Sequence, residues 1–344
     1  MKNHTAVLRM WAQGVDFSPD GLCALTSQLG TIHLLEPKRI ALSVSEPGPI
    51  SCYRWYPGMN SQDTVSCVFA TTCAVIQPVH LWDAYTGGLR ACYGVLDPRS
   101  EEIARCLAVD FGPQNHHLVV SSKASKRGHV DVFALDYPGV GHSLASIPLD
   151  TGYCPIIKCV KQNDQLVVLG SFSGDLAVLD LSSSSIVARL GTLPDAVTDI
   201  QTNAPAHQIY AGCRRHDAIL VYDIRQLGTH VASFPRTCRS AQKIEFELDL
   251  ERNQLMTGGT DGLVRFYDLT SGEEVIELRK QFSQVVNGLS YNPIDSNQVC
   301  VALGERQVHL DDTEASISQD SQNLSILQCV VYSERSSSVN ETSF

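Results

Sequence analysis

The sequence predicts an all-β propeller of seven blades, and three observations carry that expectation. An apolar strand ending in an acid or a related residue recurs seven times, at steps of 43 to 51 residues. Each of the clearest endings is preceded by a second β-rich run and a tight turn, and a further run opens the unit. The composition is that of a packed chain: 344 residues, 43% hydrophobic and 18% charged, which excludes disorder for the bulk of it. Four short strands at a period of roughly 40 to 45 residues are the signature of WD40 blades.

The seven endings are Leu35-Glu36, Trp82-Asp83, Phe133-Ala134, Leu179-Asp180, Tyr222-Asp223, Tyr267-Asp268 and Leu310-Asp311. Trp82 is the only tryptophan in this register, so the period and not the tryptophan carries the prediction. The clearest hairpin spans 254–268, where Asp261-Gly262 joins two β-rich runs as a tight turn. Its siblings are 166–180, around Ser173-Gly174-Asp175, and 208–223, around Cys213-Arg214-Arg215-His216-Asp217. Opening strands read at 14–21, 106–113 and 288–293. Trp82, Asp83, Asp180, Asp223 and Asp268 are structural positions, the aspartates placed to accept hydrogen bonds from their own turns.

The propeller is expected over 1–311, with the strand 6–11 closing the last blade as its outer strand and leaving no unpaired edge. Residues 312–344 fall outside the repeat and read as a Ser-rich, mostly disordered C-terminal tail, of which 326–332 is apolar enough to dock as a strand. There is no run of ~18 apolar residues and no apolar leader after Met1, so a soluble, non-secreted protein is expected. The 12 cysteines include no Cys-x-x-Cys pair and read as reduced, buried small hydrophobes.

No catalytic pattern stands out. The chain lacks a phosphate loop, a His-Glu-x-x-His helix and a Gly-x-Ser-x-Gly elbow, and the His116-His117 and Arg214-Arg215-His216 runs lie at predicted turns. The expectation is a non-enzymatic protein with no cofactor and no metal.

Charge placement is more informative than the net charge of −11, which argues against nonspecific polyanion binding. With strands a to d in each blade, the b–c turns and d–a links share one face of a propeller. That face is expected to gather Lys123, Lys126, Arg127, Arg214, Arg215 and Arg306 on turns and Arg99, Arg236, Arg239, Lys243, Arg279 and Lys280 on links. The opposite face collects Asp83, Asp136, Asp180, Asp223, Glu273 and Glu274. A cationic face of this kind suits one single-stranded RNA element, with Arg forked onto phosphate and Tyr153 or Phe282 stacking bases. The plainer reading, that turns simply collect solvated Lys and Arg, stands beside it.

Several segments resemble the telomerase Cajal body protein family. They are Val79-His80-Leu81-Trp82-Asp83-Ala84-Tyr85-Thr86-Gly87-Gly88-Leu89-Arg90-Ala91, Tyr53-Arg54-Trp55-Tyr56, and the run from Gly212 through Arg214 and Asp217-Ala218 to Asp223-Ile224-Arg225-Gln226. Shorter matches are 242–249, Asn287-Gly288-Leu289-Ser290 and Gly304-Glu305-Arg306-Gln307-Val308. The resemblance implies a nuclear WD-repeat RNA-binding protein that takes small Cajal body RNA or telomerase RNA to Cajal bodies, in the service of telomere maintenance. It implies a ribonucleoprotein setting with box H/ACA or spliceosomal protein partners, no membrane and a monomer, in the nucleus with the cytoplasm as second compartment. Arg214, Arg225 and Lys243 are the matching polar positions. The long polar N-terminal extension of animal members has no counterpart here, so regulation or targeting is expected to differ. The alternative function is a protein-only scaffold, for instance of pre-mRNA splicing complexes, a role associated with a divergent fungal branch of this family.

Overall fold

The computed structural model describes residues 4–8, 12–36, 39–112, 116–124, 127–150, 152, 154, 156–160, 165–205, 207–295, 298–304 and 325–331. The architecture is all-β and propeller-like, with a single 3-10 turn at Ile276–Leu278 among the described residues. Blade one is built from Val15–Phe17, Ala24–Gln28, Thr31–Glu36 and Arg39–Ser45, and blade two from Ile50–Trp55, Val68–Cys73, Val79–Asp83 and Leu89–Gly94. Blade three has Arg105–Phe111, His117–Ala124, Arg127–Ala134 and Ala145–Leu149; blade four has Ile156–Cys159, Leu166–Gly170, Asp175–Asp180 and Ser185–Thr192. Blade five has Val197–Asn203, Gln208–Cys213, Ala218–Asp223 and Ala232–Pro235, and blade six has Phe246–Asp249, Gln254–Thr257, Leu263–Asp268 and Lys280–Gln281. All are antiparallel meanders; a short strand, Gly139–Val140, joins the outer edge of blade two in parallel.

A further sheet orders Val286–Tyr291, Gln298–Leu303, Ser325–Val331 and His4–Leu8. His4–Leu8 is its outer strand, paired antiparallel with Ser325–Val331. Its third strand therefore comes from beyond residue 311: Gln298–Leu303 pairs with Ser325–Val331, whereas Leu310-Asp311 lies outside the described residues. A regular period cannot register an insertion between two paired strands.

Each sheet alternates side chains between two neighbours, so the core is a set of seams. Phe69, Cys67, Leu25 and Ile32 fill the seam between blades one and two, and Phe69 meets Trp55 edge to face at 5.8 Å. Tyr93 and Phe133 pack between blades two and three; Tyr210, Phe234, Phe246 and Tyr267 between blades five and six. Val15 and Ala24 of blade one meet Cys300 and Ala302 of the closing sheet. Burying one such side chain contributes roughly 1.5–3 kcal/mol, so the seams carry most of the stability. Of the eleven cysteines described, eight are buried and none is bridged.

Polar staples join the innermost strands. Asp110 accepts the Cys159 N–H at 2.8 Å, Asp199 the Phe246 N–H at 3.2 Å, Glu247 the Tyr291 N–H at 2.7 Å, and the Ser290 hydroxyl the Phe17 N–H at 3.1 Å. The innermost strands of blades two, three and five and of the closing sheet share a bulge near their start, for instance between Cys106 and Ala108. Such a bulge re-aims the side chains that follow it.

The aspartates expected to be structural close the c–d turns. Asp83 accepts the N–H groups of Tyr85 and Thr86, Asp180 that of Ser182, Asp223 that of Arg225, and Asp268 those of Thr270 and Ser271. In blade two Arg90 extends the device, pairing with Asp83 at 2.6 Å while donating to the carbonyls of Val65 and Thr64 at 2.7 Å each. These charge-assisted bonds tie the long loop 56–67 to the turn. Arg90→Ala is expected to cost about 1–2 kcal/mol and to speed proteolysis within that loop, read by melting and limited digestion.

Candidate nucleic-acid interface

The b–c turns set the geometry of the turn-and-link face. In blades four and six a glycine supplies the left-handed backbone that a two-strand turn demands: Gly174 has φ +92° and Gly262 φ +77°. A Cβ on Gly174 would come within 2.3 Å of the Leu193 carbonyl oxygen. Blade five places Arg215 in this region instead, at φ 49°.

Three of the anticipated cations stand on this face without a carboxylate of their own within ion-pair distance among the described residues. Arg127 and Arg239 are exposed, and Arg214 is half-buried with its Nε enclosed and lacking an acceptor. Lys123 is exposed at the end of its strand, directly across from Arg105. Arg99 is also exposed. Arg215 is on the same face but forks onto Asp195, at 2.7 and 2.8 Å. The Ala196 N–H first, then Arg215, and more weakly the nearby charge of Arg214, hold the Asp195 carboxyl below its usual range.

Other expected contacts lie elsewhere. Arg236 is buried at 3% exposure and donates to the carbonyls of Ile244, at 2.9 Å, and Cys213, at 3.3 Å. Burial lowers its pKa, and its role here is to fill the seam between blades five and six, not to meet solvent. Lys243 turns into the central channel and pairs with Glu245 at 2.8 Å. Arg279 is drawn to Glu274, 2.7 Å away, an acid expected on the opposite face. Lys280 is half-buried in the outer strand of blade six. Arg225 forks onto Asp223 at the c–d turn. Lys126, Arg306 and Tyr153 lie outside the described residues, and Phe282 is only partly buried, packed against the seam of blade six and the closing sheet.

The channel is a second polar region. A cavity of about 240 Å³ is lined by Asp16, Arg54, Lys158, Asp199, Lys243, Glu245 and Glu247, among others. Burial pushes the Glu247 carboxyl up to about 8, and Asp16 adds to the effect against the pull of the Tyr291 N–H and the Ser290 hydroxyl. Acid and base stand side by side in this void. No group of three or more potential metal ligands occurs among the described residues. Composition points to the turns; the two residues it misses are Arg105, which only strand register places beside Lys123, and Phe172, an apolar side chain at 47% exposure on the turn of blade four.

No protein-family model matches the chain. Among curated proteins it is 26% identical to human telomerase Cajal body protein 1 over 307 residues, covering 82% of this chain and 55% of that protein. The Drosophila melanogaster homologue of the same name is 26% identical over 340 residues, 89% of this chain and 58% of its own length. The guanine nucleotide-binding protein negative regulator 1 of Schizosaccharomyces pombe is 23% identical over 280 residues, 78% of this chain and 69% of that protein. The chain spans little more than half the length of the telomerase Cajal body proteins it matches. The similarity to telomerase Cajal body proteins extends over about four fifths of the chain in several species.

Proposed function

We propose that this chain is a non-enzymatic WD-repeat scaffold that binds a single-stranded element of a small nuclear RNA, in the manner implied by the names of its telomerase Cajal body relatives. The ring we infer has seven blades, takes in Ser325–Val331 as well as residues 1–311, and is closed by His4–Leu8. The observation that carries the reading is Arg214: a half-buried guanidinium whose Nε no protein atom accepts, in one of the segments that resemble that family, with the exposed Arg127 and Arg239 on turns and links of the same face. Asp195 acts on Arg214 only at longer range and is ion-paired with Arg215, so the enclosed Nε still lacks an acceptor; leaving it so is costly, and an RNA phosphate oxygen supplies one. The partners are small Cajal body or telomerase RNA and box H/ACA proteins, and the compartment is the nucleus and its Cajal bodies.

Replacing Arg127 and Arg239 by Glu together with Arg214→Gln is expected to weaken RNA retrieval by crosslinking roughly a thousandfold, at about 1.5 kcal/mol for each lost charged contact, with little change in melting. Unchanged retrieval refutes the RNA role. A protein-only scaffold draws support from the exposed Leu29, Val75 and Ile76 at blades one and two, and salt separates the two readings. Affinity for a single strand falls with a log–log slope of about −0.7 per phosphate neutralised, whereas an apolar protein interface barely responds.

A further inference from the structure

Blades three, four and five are consecutive around the ring, and their b–c turns stand side by side on one face. Ser121 of blade three donates to the Cys154 carbonyl on the link into blade four, and the Val197 N–H of blade five donates to the Ser171 carbonyl in the blade-four turn. The outer two of these blades carry cations. In blade three Arg105 and Lys123 are direct cross-strand partners, so two like charges share one face of the sheet, and Arg105 Nε is buried without an acceptor. In blade five stands Arg214.

The turn between them is uncharged at its tip and presents Phe172, nearly half of it in water. It is also rigid. Ser171 and Ser173 hydroxyls bond each other at 2.8 Å, Ser173 donates to Asp175 at 2.6 Å, the Asp175 N–H returns to Ser171 at 2.8 Å, and the Leu193 N–H caps the Gly174 carbonyl at 2.9 Å. A loop so heavily bonded holds its aromatic ring where it is without paying ordering entropy on binding.

We propose that this turn is a base-stacking platform: a single-stranded RNA lays one unpaired base on Phe172 and sets its flanking phosphates on Arg105 of blade three and Arg214 of blade five. The assignment rests on the RNA reading above and gives it a register, across blades three to five. Stacking on an aromatic face tolerates every base, so Phe172 supplies affinity for unpaired RNA, and the guanidiniums fix its path.

The test uses the full chain and a labelled, randomised single-stranded RNA of about ten nucleotides, within the range such surfaces cover. Phe172→Ala is expected to weaken binding about 10- to 100-fold, while Phe172→Tyr, which still stacks, stays near the parent. Arg105→Gln is expected to flatten the log–log salt slope by about 0.7. RNA carrying 4-thiouridine should crosslink to the peptide containing Phe172. If the parent binds this RNA and Phe172→Ala binds it equally well, the platform is wrong and the RNA reading survives. If the parent binds no RNA at low salt, the RNA reading fails and takes the platform with it.

Discussion

Glu247→Gln is expected to stabilise the protein at alkaline pH and to change little at pH 5. Glu247 sits on the innermost strand of blade six, faces the channel, and has its carboxyl pushed up to about 8, chiefly by burial and further by Asp16. The unfolded chain releases this proton near the ordinary glutamate value of about 4.3. The folded state thus holds the proton more tightly. The stability this provides is complete below the unfolded value, declines as pH rises towards about 8, and is gone above it. The full shift would give a larger gap, but effective screening inside proteins reduces it, so roughly 2–4 kcal/mol at pH 9 is the expectation.

The substitution is informative because glutamine keeps what the geometry needs. Its amide oxygen still accepts the Tyr291 N–H that staples blade six to the closing sheet, now without a titrating proton. Asp16, Lys158, Ser290 and Tyr291 remain around it. Urea unfolding of both proteins at pH 5, 7 and 9 measures the gap. A gap that fails to widen with pH means that Glu247 ionises freely and that the channel is open to water at that depth.

The parts of this fold that are legible in the sequence are those written in local chemistry. The aspartates at 83, 180, 223 and 268 accept turn N–H groups a few residues on, and Gly174 and Gly262 take a backbone conformation that side chains resist. Both signals are visible without knowing what packs where. Burial is different: Pro235-Arg236 reads as an exposed link, yet the chain folds back over a seam and closes Arg236 against two carbonyls. Arg279 reads as a link residue and is claimed by Glu274, and Lys243 follows Glu245 into the channel. Charge sign survives in the sequence, but pairing does not. The same limit hides Arg105, whose neighbour Lys123 is set by register, and Phe172, which periodicity reads as one more apolar residue.

Glu46→Ala is expected to cost about 3–5 kcal/mol, because it takes one charged partner out of a buried polar cluster and leaves the others behind. Glu46 lies in the link from blade one to blade two, with 1% of its side chain exposed. Its carboxylate receives the His80 Nδ1 at 2.8 Å, the Trp82 Nε1 at 2.9 Å and the Thr71 hydroxyl. Trp82 is thus anchored by its indole N–H to an acid from the neighbouring link, which explains why a tryptophan is useful in this blade alone. Burial pushes the Glu46 carboxyl up, but the hydrogen bonds from His80, Thr71 and Trp82 outweigh it and hold the pKa below the usual value. A depressed carboxyl contributes stability above its unfolded value and loses it as pH falls through the folded one, so this joint is a weak point in acid. Alanine removes the acceptor shared by His80 and Thr71 and leaves the Trp82 indole N–H only the Thr71 Oγ1 at 2.9 Å, whereas Thr71→Val removes one donor to the carboxylate and that second acceptor and should cost no more than about 1–2 kcal/mol. Chemical unfolding at neutral pH ranks the two; near-equal losses would show that the carboxylate is hydrated and that packing alone joins blades one and two.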